Sequence, residues 1–274
     1  MSVTSKSARW HWPEYGIEAA GLGLFMVSAA FFTVLLQHPA SPFTAALPWP
    51  PVRRFFMGIA MGSTAAFLIY SKPGARSGAH LNPATTLTFA RLGKMRSRDA
   101  VLYAVAQVLG GAAGLAAAAV LLRPWIADPD VNYAATQPGM WGVTAAFGAE
   151  GLISFLLMTT VLHVSNSRFA RLTGAAAGLA VALFILVEEP VSGMSMNPAR
   201  SLAPALVSGQ FDGLWVYFLA PPAGMLVAAE LFVRRNGLHR VFCAKLNHTG
   251  RSRCIFNCHF EELATVPPPE RAIA

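Results

Sequence analysis

Two copies of one short sequence, far apart in the chain, constrain its fold more than any other feature. Residues 77–84 read Ser-Gly-Ala-His-Leu-Asn-Pro-Ala and residues 192–199 read Ser-Gly-Met-Ser-Met-Asn-Pro-Ala, so that five of eight positions match. Asn is a favoured helix N-cap and Pro fits the first helical turn. Each copy therefore predicts the start of a helix. The apolar stretches that follow, 84–92 and 199–207, are too short to cross a bilayer.

The rest of the chain is dominated by longer hydrophobic runs. Only 12% of its 274 residues are charged, against about 25% in a typical soluble domain. A run of about 18 or more mostly apolar residues can cross the hydrocarbon core as a helix. The sequence predicts six such helices, at about 14–36, 54–71, 99–122, 140–163, 172–188 and 213–233.

Three predicted spans lie between the two copies, and an odd number inverts the second half of the chain relative to the first. Inverted repeats with broken helices place a site near the bilayer midplane. Non-helical backbone at that depth is tolerated only when it lines a cavity or is buried in protein. The sequence therefore predicts an all-α membrane protein of six spanning helices and two half-helices, whose two loops meet halfway and form a pore.

The distribution of charge predicts how the chain is oriented. Its net charge of +8 could suggest nucleic acid, but most Lys and Arg residues fall on one side of the predicted topology. Membrane proteins keep such residues in the cytosol. We therefore expect a multi-pass protein of the plasma (inner) membrane with both ends cytosolic, bound to lipid and not to nucleic acid. The predicted parts are a cytosolic N-terminus (1–13), a channel domain (14–234, with inverted halves at about 14–122 and 140–234) and a basic cytosolic tail (235–274).

The paired loops, with an arginine directly after the second, resemble the signature of the aquaporin (major intrinsic protein) family. The likeness covers about residues 14–234 and implies a right-handed bundle, usually a homotetramer with one pore in each subunit. It implies a passive channel, neither an enzyme nor a protein with a cofactor. The residues that carry it are Asn82, Pro83, Ala84, Asn197, Pro198, Ala199 and Arg200.

The loops also suggest how ions are excluded. Two half-helix N-termini at the midplane, each with about half a positive charge, would repel cations, while the amides of Asn82 and Asn197 donate to passing water. Glu18 and Glu150, each in the first helix of its half, are expected to accept hydrogen bonds from the loops; a proton relay is the alternative. His80 is expected to shape its loop, with a pH sensor as the alternative.

By resemblance, Arg200 belongs to an outer constriction together with Ile185, Met194 and either Met61 or Gly62. Water-selective members usually have His where Ile185 stands and an aromatic residue at the Met61 or Gly62 position. This ring is therefore more apolar than a typical water filter.

Other positions, Ser201 and Tyr217-Phe218, differ from the pattern of glycerol-conducting members. Water is therefore the predicted solute. Glycerol or another small neutral solute is one alternative, and an ion-coupled secondary transporter is an alternative of another class.

The tail contains a group of residues that the pore does not use. His248, Cys254, Cys258 and His259 lie within twelve residues, and His and Cys are suitable zinc ligands. The spacing is not that of a standard zinc finger. The prediction is that the protein holds no metal and that this is a plain basic tail, with a metal site at these four residues as the alternative.

Overall fold

The computed structural model describes residues 10–248 and 253–265, and this part of the chain forms helices without any strand. Six of the helices are long and apolar enough to cross a membrane, which confirms the predicted spans to within a few residues. In chain order the helices are α1 (Trp12–Gln37), α2 (Pro42–Ala46), α3 (Pro50–Tyr70), α4 (Lys72–Ser77), α5 (Pro83–Arg91), α6 (Ser97–Leu121), α7 (Gly142–Ser165), α8 (Thr173–Ser192), α9 (Pro198–Ser208) and α10 (Leu214–Asn236).

The spanning helices are α1, α3, α6, α7, α8 and α10, the fifth being extended by a 3-10 turn at Ala170–Leu172. Because the number of spanning helices is even, the start of α1 and the end of α10 lie at the same face of the bundle. We call this face the terminal face. Large apolar side chains cover the outside of the bundle, such as Phe67, Leu121 and Val187, which are 70–77% exposed. Such a surface fits lipid and not water. The chain is therefore a multi-pass membrane protein.

The packing of the helices shows the inverted repeat directly. Helix α1 packs along α6, and its counterpart α7 packs along α10, while α3 meets α8 between the two halves. Glycine permits the closest approaches. A β-carbon on Gly110 of α6 would lie 2.0 Å from the carbonyl oxygen of Ala19 in α1.

Each half-helix docks on the opposite half as well as on its own. Helix α5 contacts α10, and α9 contacts α6. This exchange brings the N-termini of α5 and α9 to the centre of the bundle, where the Asn-Pro-Ala residues stand.

The segment after α10 differs most from a plain tail. Residues 241–247 form no regular helix or strand, yet all seven are buried. We call residues 241–248 and 253–258 the tail segment, and the structure places it against the terminal face.

Candidate functional site

The two Asn-Pro-Ala loops are hydrogen-bonded to each other at the centre of the bundle. The Asn82 Nδ2 donates to the carbonyl of Met196 at 2.7 Å, and the Asn197 Nδ2 donates to the carbonyl of Leu81 at 2.8 Å. Each amide oxygen caps its own half-helix, accepting from the backbone N–H of Ala84 or Ala199 at 2.8 and 3.0 Å. Since an amide carries two N–H groups, each Asn has a second donor for a solute.

The carboxylates of Glu18 and Glu150 lie behind these loops and are fully buried. Glu150 accepts from the backbone N–H groups of Ser195 and Met196 at 2.6 and 2.7 Å, and from the Ser192 hydroxyl at 2.8 Å. This is the arrangement expected for loop support.

Glu18 holds the first loop in the same way. It accepts from the backbone N–H groups of His80 and Leu81, at 3.1 and 2.6 Å, and from the hydroxyl of Ser77. The amide of Gln107 in α6 also donates to it, at 2.8 Å. The two halves of the chain therefore repeat the contact as well as the sequence.

The same loops contain backbone conformations that L-residues rarely adopt. Ala79 and Leu81 have φ values of 53° and 48°, and their counterparts Met194 and Met196 have 48° and 55°. Such residues cost about 1–3 kcal/mol each and persist where the surroundings hold them. The turns aim successive N–H groups at one carboxylate, as in the concave backbone sites that bind anions.

His80 connects the first loop to the tail segment. Its Nε2 lies 2.8 Å from the carbonyl of Ala244 and its Nδ1 lies 3.1 Å from the Thr86 hydroxyl. The imidazole is stacked between the rings of Phe89 and Phe256, with centroids 5.2 and 5.5 Å away. It is a buried, fully contacted side chain that fixes both segments.

A cavity of about 420 Å³ opens toward the face opposite the terminal face. Arg200, Ile185, Met194 and Met61 all line it, so these four predicted constriction residues face the same cavity. Gly62 does not contribute, because it lies at the contact between α3 and α8, where a β-carbon would stand 2.4 Å from the carbonyl of Gly178. The register that the sequence left open thus favours Met61.

Arg200 directs one end of its guanidinium to a backbone acceptor. Its Nη1 donates to the carbonyl of Ala134 at 3.1 Å, in the loop that connects α6 to α7. Its backbone N–H donates to the Oδ1 of Asn197, the N-cap residue of α9, at 3.3 Å. The cation is therefore held at a fixed place on the cavity wall.

A second, narrower cavity of about 110 Å³ continues toward the terminal face. Asn82, Asn197 and Arg200 line it together with apolar side chains that include Val181. Leu246 of the tail segment also lines it, although no pattern in the sequence predicts this contact. The linings of the two cavities share Phe25, Val181, Ser195, Met196 and Arg200, so the cavities adjoin beside the crossed loops.

The tail cysteines and one histidine come together, in a set that differs from the one considered from sequence. His248, Cys254 and Cys258 are joined by Cys243, and their ligand atoms all lie within 4.8 Å of one another. His259 is outside this group, with an exposed side chain. Cys243 precedes the others by five residues or more, and only the folding of the chain shows that it belongs with them.

Comparisons with known proteins agree with this geometry. The sequence profile of the family described as "Major intrinsic protein" matches residues 18–232. "Aquaporin NIP1-3" of Oryza sativa subsp. japonica is 39% identical over 173 residues, which are 62% of this chain and 58% of that protein. "Aquaporin NIP1-1" of Arabidopsis thaliana is 37% identical over 184 residues, covering 64% and 60% of the two proteins. The chain thus spans about three fifths of the length of these relatives.

A solved structure has the same fold. The structure titled "X-ray structure of the aquaglyceroporin from Plasmodium falciparum" superposes with a TM-score of 0.67 at 21% sequence identity, covering 81% of this chain and 96% of that one. Six spanning helices, two inverted half-helices and the family match over most of the chain agree with one another. This family consists of channels and not of enzymes. The chain therefore belongs to the major intrinsic protein family.

Proposed function

We propose that this protein is a passive channel for water that excludes ions and protons. The crossed Asn82 and Asn197 amides, which line the cavity of about 110 Å³, carry the proposal. A water molecule at this place would accept hydrogen bonds from both side chains, which turns its oxygen toward them and interrupts a chain of proton transfer. The positive ends of α5 and α9 add a potential that repels cations.

The contacts of the two buried carboxylates favour a channel over an ion-coupled transporter. Coupling requires an acid that exchanges a proton or binds an ion during the cycle. Glu18 and Glu150 are each engaged by at least three donors of the loops and are closed off from the surface. We assign them to the support of the loops.

We place the terminal face in the cytosol, and the protein in the plasma (inner) membrane. The basic residues Lys72, Arg76, Arg91 and Lys94 lie on that side of the bundle, as the positive-inside bias requires. A homotetramer, as the family resemblance implies, would cover part of the apolar outer surface.

Blocking the narrow cavity should abolish water flux. Val181 of α8 lines both cavities, whereas Leu183 of the same helix is 50% exposed on the outside. We expect liposomes containing the wild type or Leu183→Trp to shrink rapidly in hypertonic sucrose, because both leave the path open. Val181→Trp should shrink at the rate of empty liposomes, as followed by stopped-flow light scattering. Equal rates for Val181→Trp and the wild type would contradict a pore along this path.

Small neutral solutes such as glycerol are a second candidate cargo. The observation that favours them is that three of the four constriction residues, Met61, Ile185 and Met194, are apolar. Such a wall offers the carbon face of a small polyol a contact that an imidazole would not provide.

A histidine at the constriction should discriminate between the two solutes. Ile185→His adds a polar side chain beside Arg200, so that we expect glycerol permeability to fall about tenfold, or about 1.4 kcal/mol in barrier height. Water permeability should stay within about twofold of the wild type. Ile185→Val, which retains an apolar side chain, is the control. A wild-type protein that passes water but gives no reswelling in glycerol would remove this second candidate.

A further inference from the structure

The tail segment contains a cluster of metal-binding side chains that the pore does not use. The Sγ atoms of Cys243 and Cys254 are 3.6 Å apart, and the Nε2 of His248 is 3.1 Å from the Sγ of Cys258. The three cysteines are free thiols. A tetrahedral zinc ion with Zn–S bonds of about 2.3 Å would hold its sulfur ligands about 3.8 Å apart. The Cys243–Cys254 separation is close to this spacing, and all four ligand atoms lie within 4.8 Å of one another.

The surroundings of the cluster also suit a metal. The backbone N–H of Lys245 points to the Cys243 Sγ at 3.5 Å, and outer hydrogen bonds of this kind orient ligands and tune a metal. The ring of His248 is stacked on Phe260, with the centroids 4.2 Å apart. Three sulfurs and one imidazole select zinc over magnesium or calcium, which prefer oxygen ligands.

The segment around the cluster is fastened to the pore. The Leu246 N–H donates to the carbonyl of Gly78 at 3.1 Å, and the Asn257 N–H donates to the carbonyl of Lys94 at 2.9 Å. The first contact is made four residues before Asn82, and Leu246 itself lines the narrow cavity. The cluster therefore joins two irregular stretches of chain that contact residues on either side of the first Asn-Pro-Ala loop, beside the narrow cavity.

From this arrangement we propose that Cys243, His248, Cys254 and Cys258 form a tetrahedral zinc site, and that bound zinc holds the tail segment across the terminal-face opening. Binding exchanges the protons of three thiols for one Zn²⁺, and the thiol protons leave to solvent. Small irregular modules commonly depend on a metal for a fixed shape, and here the metal would add to the contacts with Gly78 and Lys94. Zinc occupancy then determines how far Leu246 and Phe256 stay in place at the opening.

Metal content tests the site itself. We expect the full-length protein, purified in detergent with a reductant that does not bind zinc, to contain one zinc per chain by mass spectrometry of the metal. The same protein, stripped with a chelator and given Co²⁺, should show the visible absorption of tetrahedral cobalt with a thiolate charge-transfer band. Cys258→Ser and Cys254→Ser should lose the metal, while His259→Ala, outside the cluster, should keep it.

Three results would overturn the zinc site. They are a metal content near zero after purification and zinc titration, equal metal loss in His259→Ala and Cys258→Ser, and a Cys243–Cys254 disulfide that forms under the reducing conditions of the assay. Chelation of the wild type needs no substitution, so a folding defect in one variant does not leave the question open.

Water flux tests the effect of zinc on the opening, and this part rests on the proposed function. We expect chelated wild-type liposomes to shrink several-fold faster than zinc-loaded ones, with His259→Ala responding in the same way. Liposomes containing Cys254→Ser should shrink fast in both states. Equal shrinkage rates of chelated and zinc-loaded wild-type liposomes would overturn the role of zinc at the opening. Absence of flux in both states, from protein that contained one zinc per chain before chelation, would contradict the proposed function and leave the zinc site supported.

Discussion

Replacing Glu150 by Ala should leave little or no folded protein. The change removes the shared acceptor of two backbone N–H groups and the Ser192 hydroxyl, all in a fully buried setting. A buried donor without a partner costs about 1–3 kcal/mol, and three amount to several kcal/mol. Since a protein's whole stability is about 5–15 kcal/mol, most of it would be lost. The strained turns at Met194 and Met196 would also lose the contact that holds them.

Size-exclusion chromatography of the detergent extract measures this effect, together with the melting temperature of whatever protein elutes as a single species. Glu230→Ala is the matched control, because Glu230 lies on α10 at the surface, where it pairs with Arg234 one turn away. It should elute and melt as the wild type does. Glu18→Ala should resemble Glu150→Ala, since the contact is repeated in the first half. A Glu150→Ala protein that melts within about two degrees of the wild type would refute the support role, because several kcal/mol shifts a melting temperature far more.

Replacing Arg200 by Ala should admit cations and protons. The guanidinium is a fixed cation in the wall of the larger cavity and is held there by the carbonyl of Ala134. A unit charge about 5 Å from a passing cation raises the energy of that cation by about 3 kcal/mol at an effective dielectric constant of about 20. Its removal should increase cation leakage about a hundredfold. Water flux should persist, because the path is widened and not closed.

A potassium diffusion potential across liposomes, with a pH-sensitive dye inside, measures the proton leak. Arg200→Lys keeps the charge and should stay close to wild type. Arg54→Ala is a second control, because Arg54 lines the same cavity but lies 3.8 Å from the carboxylate of Glu189. If liposomes containing Arg200→Ala pass water but leak protons no faster than the wild type, the half-helix dipoles alone exclude ions.

The fold could be predicted because its main determinants are local and are repeated. Hydrophobic length sets the spans, and an Asn-Pro pair sets the start of each half-helix, so both appear in any single stretch of sequence. The inversion follows from counting spans between the two copies. Glu18 and Glu150 could be selected as candidate site residues for a similar reason, since an acid in an apolar helix requires partners.

Other features depend on contacts between distant residues and could not be predicted in this way. The choice between Met61 and Gly62 depends on the rotation of α3 against α8, which an apolar run does not encode. The positive φ values at Leu81 and Met196 occur in residues that do not favour them, and they arise from the carboxylates opposite. Gln107, which donates to Glu18, is an exception. It is a polar residue in an apolar helix, and it could have been selected from the sequence as a candidate site residue on that ground.

The tail segment is the clearest case of this limit. Its Cys and His spacing fits no standard motif, and the sequence suggested His259 where the structure has Cys243. Leu246 looks like any other leucine until the path beside it is known.

The exchange of half-helices between the halves has a consequence for biosynthesis. Helix α5 is synthesised before α10, the last of the six spanning helices described here, yet one of the surfaces on which α5 packs belongs to α10. The first loop must therefore stay without its final partner during insertion of three further spans. The centre of the bundle is completed only once α10 has been inserted, so a chain that stops before α10 leaves α5 without this surface.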